Sequence, residues 1–194
     1  MSVVVAYRGK NGTLLCADKR AVQYSDFGSA VNDTFNKIRH IDEIGYFAAI
    51  GSAAIFELFL ARLEENRAKL DNESIQTFDV ILDSFETSYL TMLGFASESR
   101  VRLSEEEINQ LHKTRICFVD EVFGNIFIIG VDPPVKFIEH YVALTPSNSI
   151  LLDVKAMDKN PELAQTIIEQ YIRQISEQHD NVSAASDCIF VLTN

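Results

Sequence analysis

The chain has 194 residues, 47% of them apolar and 23% charged, with a formal net charge of −11. That length fits one domain with a continuous core, and the composition is that of a soluble folded chain rather than a disordered one. So acidic a surface repels phosphate backbones and anionic lipid, so neither nucleic acid nor a membrane is expected as a partner. The apolar runs fall far short of a membrane span, and no secretion signal is read at the start, so a cytoplasmic protein is expected.

Residues 2–8 form an apolar strand pattern, and the Asn11-Gly12 turn that follows predicts a hairpin returning through Thr13–Ala17. Residues 24–34 are polar, contain Gly28 and read as a loop. Lys37 to Ile41 alternates as a half-buried strand, and Tyr46 to Ile50 reads as a buried one that Gly51 ends. Phe56, Phe59, Leu60 and Leu63 lie on one helical stripe. A second stripe runs through Ile75, Phe78, Leu82, Phe85, Tyr89 and Met92, with Asn72 or Ser74 as its cap. Ser104 to Glu107 has the form of a capping box and predicts one short further helix.

Strands resume at Arg115–Asp120 and Asn125–Val131, which flank a second hairpin turn at 121–124. Residues 135–144 hold one or two more strands. Asn160 and Pro161 supply a cap and a first-turn proline for an amphipathic helix through Leu163, Ile168, Tyr171, Ile172 and Ile175. A last strand spans Asp187–Thr193. Runs of strands alternating with runs of helices indicate an α+β fold in a single domain over 1–194, with two sheets face to face and helices covering each. The three cysteines, Cys16, Cys117 and Cys188, have no CxxC spacing and read as buried reduced thiols. The four histidines are scattered singly, so neither a metal nor a cofactor is expected.

Chemistry enters at the start of the chain. Residue 2 is a serine at the mouth of the first strand, and a small second residue permits removal of Met1. A free N-terminal serine unites nucleophile and base, because its hydroxyl attacks while its own α-amine takes the proton. That amine has an ordinary pKa of about 7.7–8, far nearer neutrality than a lysine.

Four segments then follow in order: Ser2 to Ala6, Ala17-Asp18-Lys19-Arg20-Ala21, Asn36-Lys37-Ile38 and Ala49-Ile50-Gly51-Ser52-Ala53-Ala54. Near the other end lies Gln178-His179-Asp180-Asn181-Val182-Ser183-Ala184. Together they resemble the proteasome β-subunit family of N-terminal-nucleophile (Ntn) hydrolases, with its N-terminal threonine strand, ADxRA turn, following lysine, GxxAD junction and RDxxSG segment. Ser2 to Asp18 spans 16 residues and Lys37 to Gly51 spans 14, as that family has them. The resemblance implies a four-layer αββα sandwich and an amide-bond hydrolase, in particular a peptidase. Ser2 is then the nucleophile, Lys37 the charge that favours its alkoxide, and Asp18 the partner that fixes Lys37. Gly51 N–H is the oxyanion donor, Asp180 and Ser183 bond around the free amine, and Arg20 braces the same turn. Peptide or protein is the implied substrate, and a homo-oligomer, in some relatives a ring, the implied assembly.

The pattern also departs from the family. Serine stands for threonine at residue 2, Ile55 for the aspartate of GxxAD, and Thr145-Pro146-Ser147 where the family has a GSG turn. Two other readings therefore stand beside the hydrolase: a peptide ligase that passes the same acyl group to an amine, and a non-catalytic scaffold on the same fold.

Overall fold

In a computed structural model, which describes residues 2–25, 28–66, 74–98, 105–146 and 150–193, the elements follow in a fixed order. Strands β1 (Val4–Arg8), β2 (Gly12–Asp18), β3 (Ala21–Ser25), β4 (Gly28–Asn32), β5 (Arg39–Ile41) and β6 (Gly45–Ile50) come first. Helices α1 (Ala53–Asn66), α2 (Ser74–Glu98) and α3 (Glu105–His112) follow. Then come β7 (Arg115–Asp120), β8 (Ile126–Gly130), β9 (Val135–Ile138), β10 (Tyr141–Leu144), α4 (Val154–Lys159), α5 (Ala164–Ser176) and β11 (Ser186–Leu192). One sheet has the order β10-β1-β2-β11, a second β5-β6-β7-β8-β9, and β3 and β4 form a ribbon of their own.

The chain divides into two compact units, one of Met1–Ile50, Cys117–Phe127 and Phe137–Asn194, the other of Gly51–Ile116 and Ile128–Lys136. In the first, β1 and β2 alternate with period two, so Val3, Val5, Tyr7, Leu14 and Cys16 share a face. That face packs on Met157 of α4 and on Ile168, Tyr171, Ile172 and Ile175 of α5. The intervening residues Val4, Ala6, Leu15 and Ala17 are buried as well, so both faces of these strands are covered. Strand β1 also contacts β6. Each fully buried Val, Leu or Ile side chain contributes roughly 1.5–3 kcal/mol, so the β1–β2 pair is a firm base for anything mounted at its ends.

The second unit is built on the two helical stripes. Ile55, Phe56, Phe59, Leu60 and Leu63 of α1 are buried, as are Ile81, Phe85 and Tyr89 of α2. Phe59 and Phe85 meet edge to face at 6.4 Å. The short third helix forms as the capping-box pattern predicts, although Ser104 itself and Asn72 lie outside the described residues.

Four expectations are corrected. Residues 24–34 do not form a simple loop, since β3 and β4 pair there in antiparallel register, with Val22 opposite Val31. Val31, an apolar residue of β4, is 55% exposed, so burial does not pattern the sequence there. The strand expected from Lys37 begins only at Arg39, because the Asn36 side chain accepts from Ile38 N and turns the chain first. Asn160 does not cap the last helix with its side chain. It ends an additional helix, α4, that Asp153 caps through Ala156 N, and Pro161 opens a 3₁₀ turn before α5. Finally, Cys16 and Cys188 are not reduced thiols. They face each other across β2 and β11 and form a disulfide, whereas Cys117 is free and buried.

Candidate active site

The site gathers where β2 ends. Asp18, fully buried, is the last residue of β2 and sits opposite Ser186 of β11. Its Oδ1 accepts from the backbone N–H of Val3 at 2.7 Å and from Lys37 Nζ at 2.7 Å. Its Oδ2 accepts from Arg20 N at 3.1 Å and Ser183 N at 3.2 Å. Four donors thus converge on a group that, ionised, offers only acceptors. The Asp18 N–H in turn donates to Val3 O at 3.1 Å, which locks the start of β1 to the end of β2.

Lys37 is 6% exposed, on the short segment between β4 and β5 that the Asn36 turn shapes. Besides Asp18, its ammonium reaches the Ser2 Oγ at 3.0 Å. Burial holds the Lys37 pKa below the usual lysine range, the Asp18 carboxylate pulls it back up, and the Arg20 charge lowers it further. A cation whose affinity for its proton is weakened, set against a hydroxyl, can donate to that oxygen as it gains negative charge.

Ser183 is 4% exposed and contributes its N–H to Asp18, while its Oγ accepts from Ala185 N at 3.1 Å. Asp180 is exposed and enters through its backbone carbonyl, which accepts from Arg20 Nη1. The other two guanidinium nitrogens of Arg20 hold Asp33, Nε to Oδ1 at 2.5 Å and Nη2 to Oδ2 at 2.9 Å. Lys19 continues the seam, with its N–H on Ala185 O at 3.0 Å and its Nζ on Asp187 at 2.7 Å. Asp33 had no sequence signal, since it falls in the segment read as a loop and lies 13 residues from its partner without periodicity.

Of the six residues singled out by the sequence, the structure brings Ser2, Asp18, Lys37 and Ser183 into one hydrogen-bonded group, with Asp180 joined through Arg20. Gly51 belongs to the other unit, and its surroundings there require a glycine: φ is +96°, and a Cβ would fall 2.6 Å from Thr114 Cα. The next residue, Ser52, donates its N–H to Thr114 Oγ1 at 3.0 Å and leads into α1. At the departed GSG turn, Pro146 offers neither hydroxyl nor N–H, and Ser147 lies outside the described residues. Met1 also lies outside them.

No family profile matches the chain, and no curated protein matches it either. Solved structures do. An Anbu (Gly-1) mutant from Hyphomicrobium sp. strain MC1 is 12% identical, with 99% of this chain and 82% of that one covered and a TM-score of 0.68. HslV from Trypanosoma brucei is 13% identical, with 98% and 99% covered and a TM-score of 0.58. Thiobacillus denitrificans BPH, solved in complex with Epoxomicin, is 19% identical, with 98% of each chain covered and a TM-score of 0.64. These likenesses, each across nearly the whole of this chain, establish its fold as the α+β, αββα sandwich of the proteasome-like Ntn proteins.

Proposed function

We propose that this chain is an amide-bond hydrolase, a peptidase, whose nucleophile is Ser2 after Met1 has been removed. One observation carries the reading: a buried Lys37 ammonium, anchored on a buried Asp18, stands 3.0 Å from Ser2 Oγ. The expected balance is simple. The Ser2 hydroxyl gives its proton to the α-amine as its oxygen bonds the substrate carbonyl carbon. Lys37 stabilises the oxygen as it attacks, and the α-ammonium returns the proton to the departing amine as the C–N bond breaks. Water then adds to the acyl-enzyme, and the acid leaves as Ser2 regains its proton. The oxyanion role of Gly51 N–H rests on the sequence pattern alone. That the solved neighbours include HslV and a BPH complexed with Epoxomicin supports a peptide-directed site, and the helical assembly described for Anbu from Pseudomonas aeruginosa supports a homo-oligomer.

Protein carrying its mature N-terminus, treated with a small fluorophosphonate, is expected to gain one adduct that maps to Ser2. The rate should rise with pH through the α-amine range of about 7.7–8. Ser2→Ala should abolish the adduct without unfolding the chain, and undiminished labelling of that variant refutes the assignment. A second reading, a non-catalytic scaffold, is favoured by Pro146 at the place of the family's helper serine. Intact mass of protein from its own host separates the two, since a retained Met1 leaves Ser2 without a free amine.

A further inference from the structure

We infer that Asp33 is a positioning residue of this site, holding Arg20 in the one orientation that clamps the Asp180–Ser183 segment against the Asp18 carboxylate. Its chemical consequence rests on Ser2 being the nucleophile. Asp33 follows β4, and Phe35 N donates to Lys19 O at 3.1 Å, which keeps this segment alongside residues 19 and 20. Asp33 grips Arg20 bidentately through Nε and Nη2. A guanidinium is rigid and planar, so fixing two of its nitrogens aims the third, and here Nη1 donates to the Asp180 carbonyl. Between Asp180 and Ser183 the chain turns tightly, with Val182 N on His179 O at 2.9 Å, and Ser183 N–H then reaches Asp18. An unbroken path therefore runs from Asp33 through Arg20, the Asp180 carbonyl, Ser183 and Asp18 to Lys37 and Ser2.

Electrostatics points the same way. The Arg20 charge is one of the influences that lower the Lys37 pKa, and Asp33 is the counter-ion that offsets this charge. The pair itself is half exposed, 24% for Arg20 and 50% for Asp33. Exposed pairs add little to stability, so orientation and charge, not cohesion, are what Asp33 supplies.

The test uses the full chain with its mature N-terminus and compares Asp33→Asn and Asp33→Glu with wild type. Asp33→Asn is expected to slow fluorophosphonate labelling of Ser2 about tenfold. It should also move the labelling profile to lower pH, because removing a negative charge disfavours protonation of Lys37 and the α-amine alike. Amide hydrogen exchange over residues 180–185 should quicken, while the melting temperature shifts by less than about 3 °C. Asp33→Glu, which keeps the charge and the fork, should recover most of the rate. Labelling by Asp33→Asn at the wild-type rate with an unmoved profile overturns the inference, as does unchanged exchange over 180–185. If wild type itself fails to label at Ser2, the nucleophile assignment falls and the catalytic consequence with it. Exchange then still decides the clamp, and faster exchange in Asp33→Asn upholds it.

Discussion

Strands β1 and β2 carry a polar cluster at each end, and the two are built on opposite principles. At the Ser2 end the ion pair is itself buried, with Lys37 and Asp18 side chains 7% and 0% exposed, and backbone amides supply the remaining donors. At the other end the buried group is a neutral phenol. The Tyr7 hydroxyl donates to Asp158 Oδ1 at 3.1 Å, and His140 Nε2 shares that oxygen at 3.0 Å. There the polar partners stay on the rim, His140 47% and Asp158 48% exposed. Water can replace any one partner on the rim but none inside. The comparison teaches that burying the charged pair at the Ser2 end demands strict geometric control of every donor around it, whereas the partially exposed partners at the Tyr7 end do not.

The sharpest way to break this comparison is to remove Asp18. Asp18→Ala strips Lys37 of its counter-ion and leaves the amides of Val3, Arg20 and Ser183 without their acceptor. Denaturant unfolding should show a loss of about 3–5 kcal/mol. Asp18→Leu combined with Lys37→Met should recover only the part due to the orphaned Lys37 charge, because the amides of Val3, Arg20 and Ser183 still lack an acceptor. A single-variant loss near zero would show that the Ser2 end is no more demanding than the rim of the other.

Two residues before Asp18, near the Ser2 end, the Cys16–Cys188 bridge joins residues separated by 172 positions. Cys188→Ala should cost roughly 2–4 kcal/mol under non-reducing conditions, and wild type in strong reductant should fall to the same value. Equal stability of wild type with and without reductant would mean that strand pairing alone holds β11.

The smallest effect belongs to the Tyr7 end, where Tyr7→Phe should lose about 1 kcal/mol at neutral pH. Its pH signature has a definite sign. Burial first, and Asp158 second, raise the Tyr7 pKa from 10.0 to about 12. The folded chain keeps that proton while the unfolded chain loses it, so stability is full below pH 10 and declines as pH rises toward 12. Cys117, raised by burial from 9.0 to about 12, adds a slope of the same sign from pH 9. The check is therefore the difference between Tyr7→Phe and wild type, whose curves should draw together and then cross as the pH rises from 10 to 12. Parallel curves would remove Tyr7 from the account.

Much of the framework was legible from residue order. Asn11-Gly12 announces the β1–β2 hairpin, the stripes of Phe56–Leu63 and Ile75–Met92 announce α1 and α2, and the resemblance to the Ntn family pointed to Ser2, Asp18, Lys37 and Ser183, which the structure joins by hydrogen bonds. The hairpin and the stripes are local or periodic signals, and periodicity follows from which face must be buried. The β3–β4 ribbon was illegible because its short strands carry no regular polar–apolar alternation, and α4 because its six residues are too few to display a stripe.

By itself the sequence determined the hairpins, the helical stripes and the order in which the candidate site residues appear, since each is read from the chain's own local order. Only the tertiary structure decided the Cys16–Cys188 bridge, the four donors on Asp18 and the grip of Asp33 on Arg20. Each of these depends on strand register or on a turn that brings distant residues together. Register is set by the packing of whole faces, which no short stretch of sequence contains.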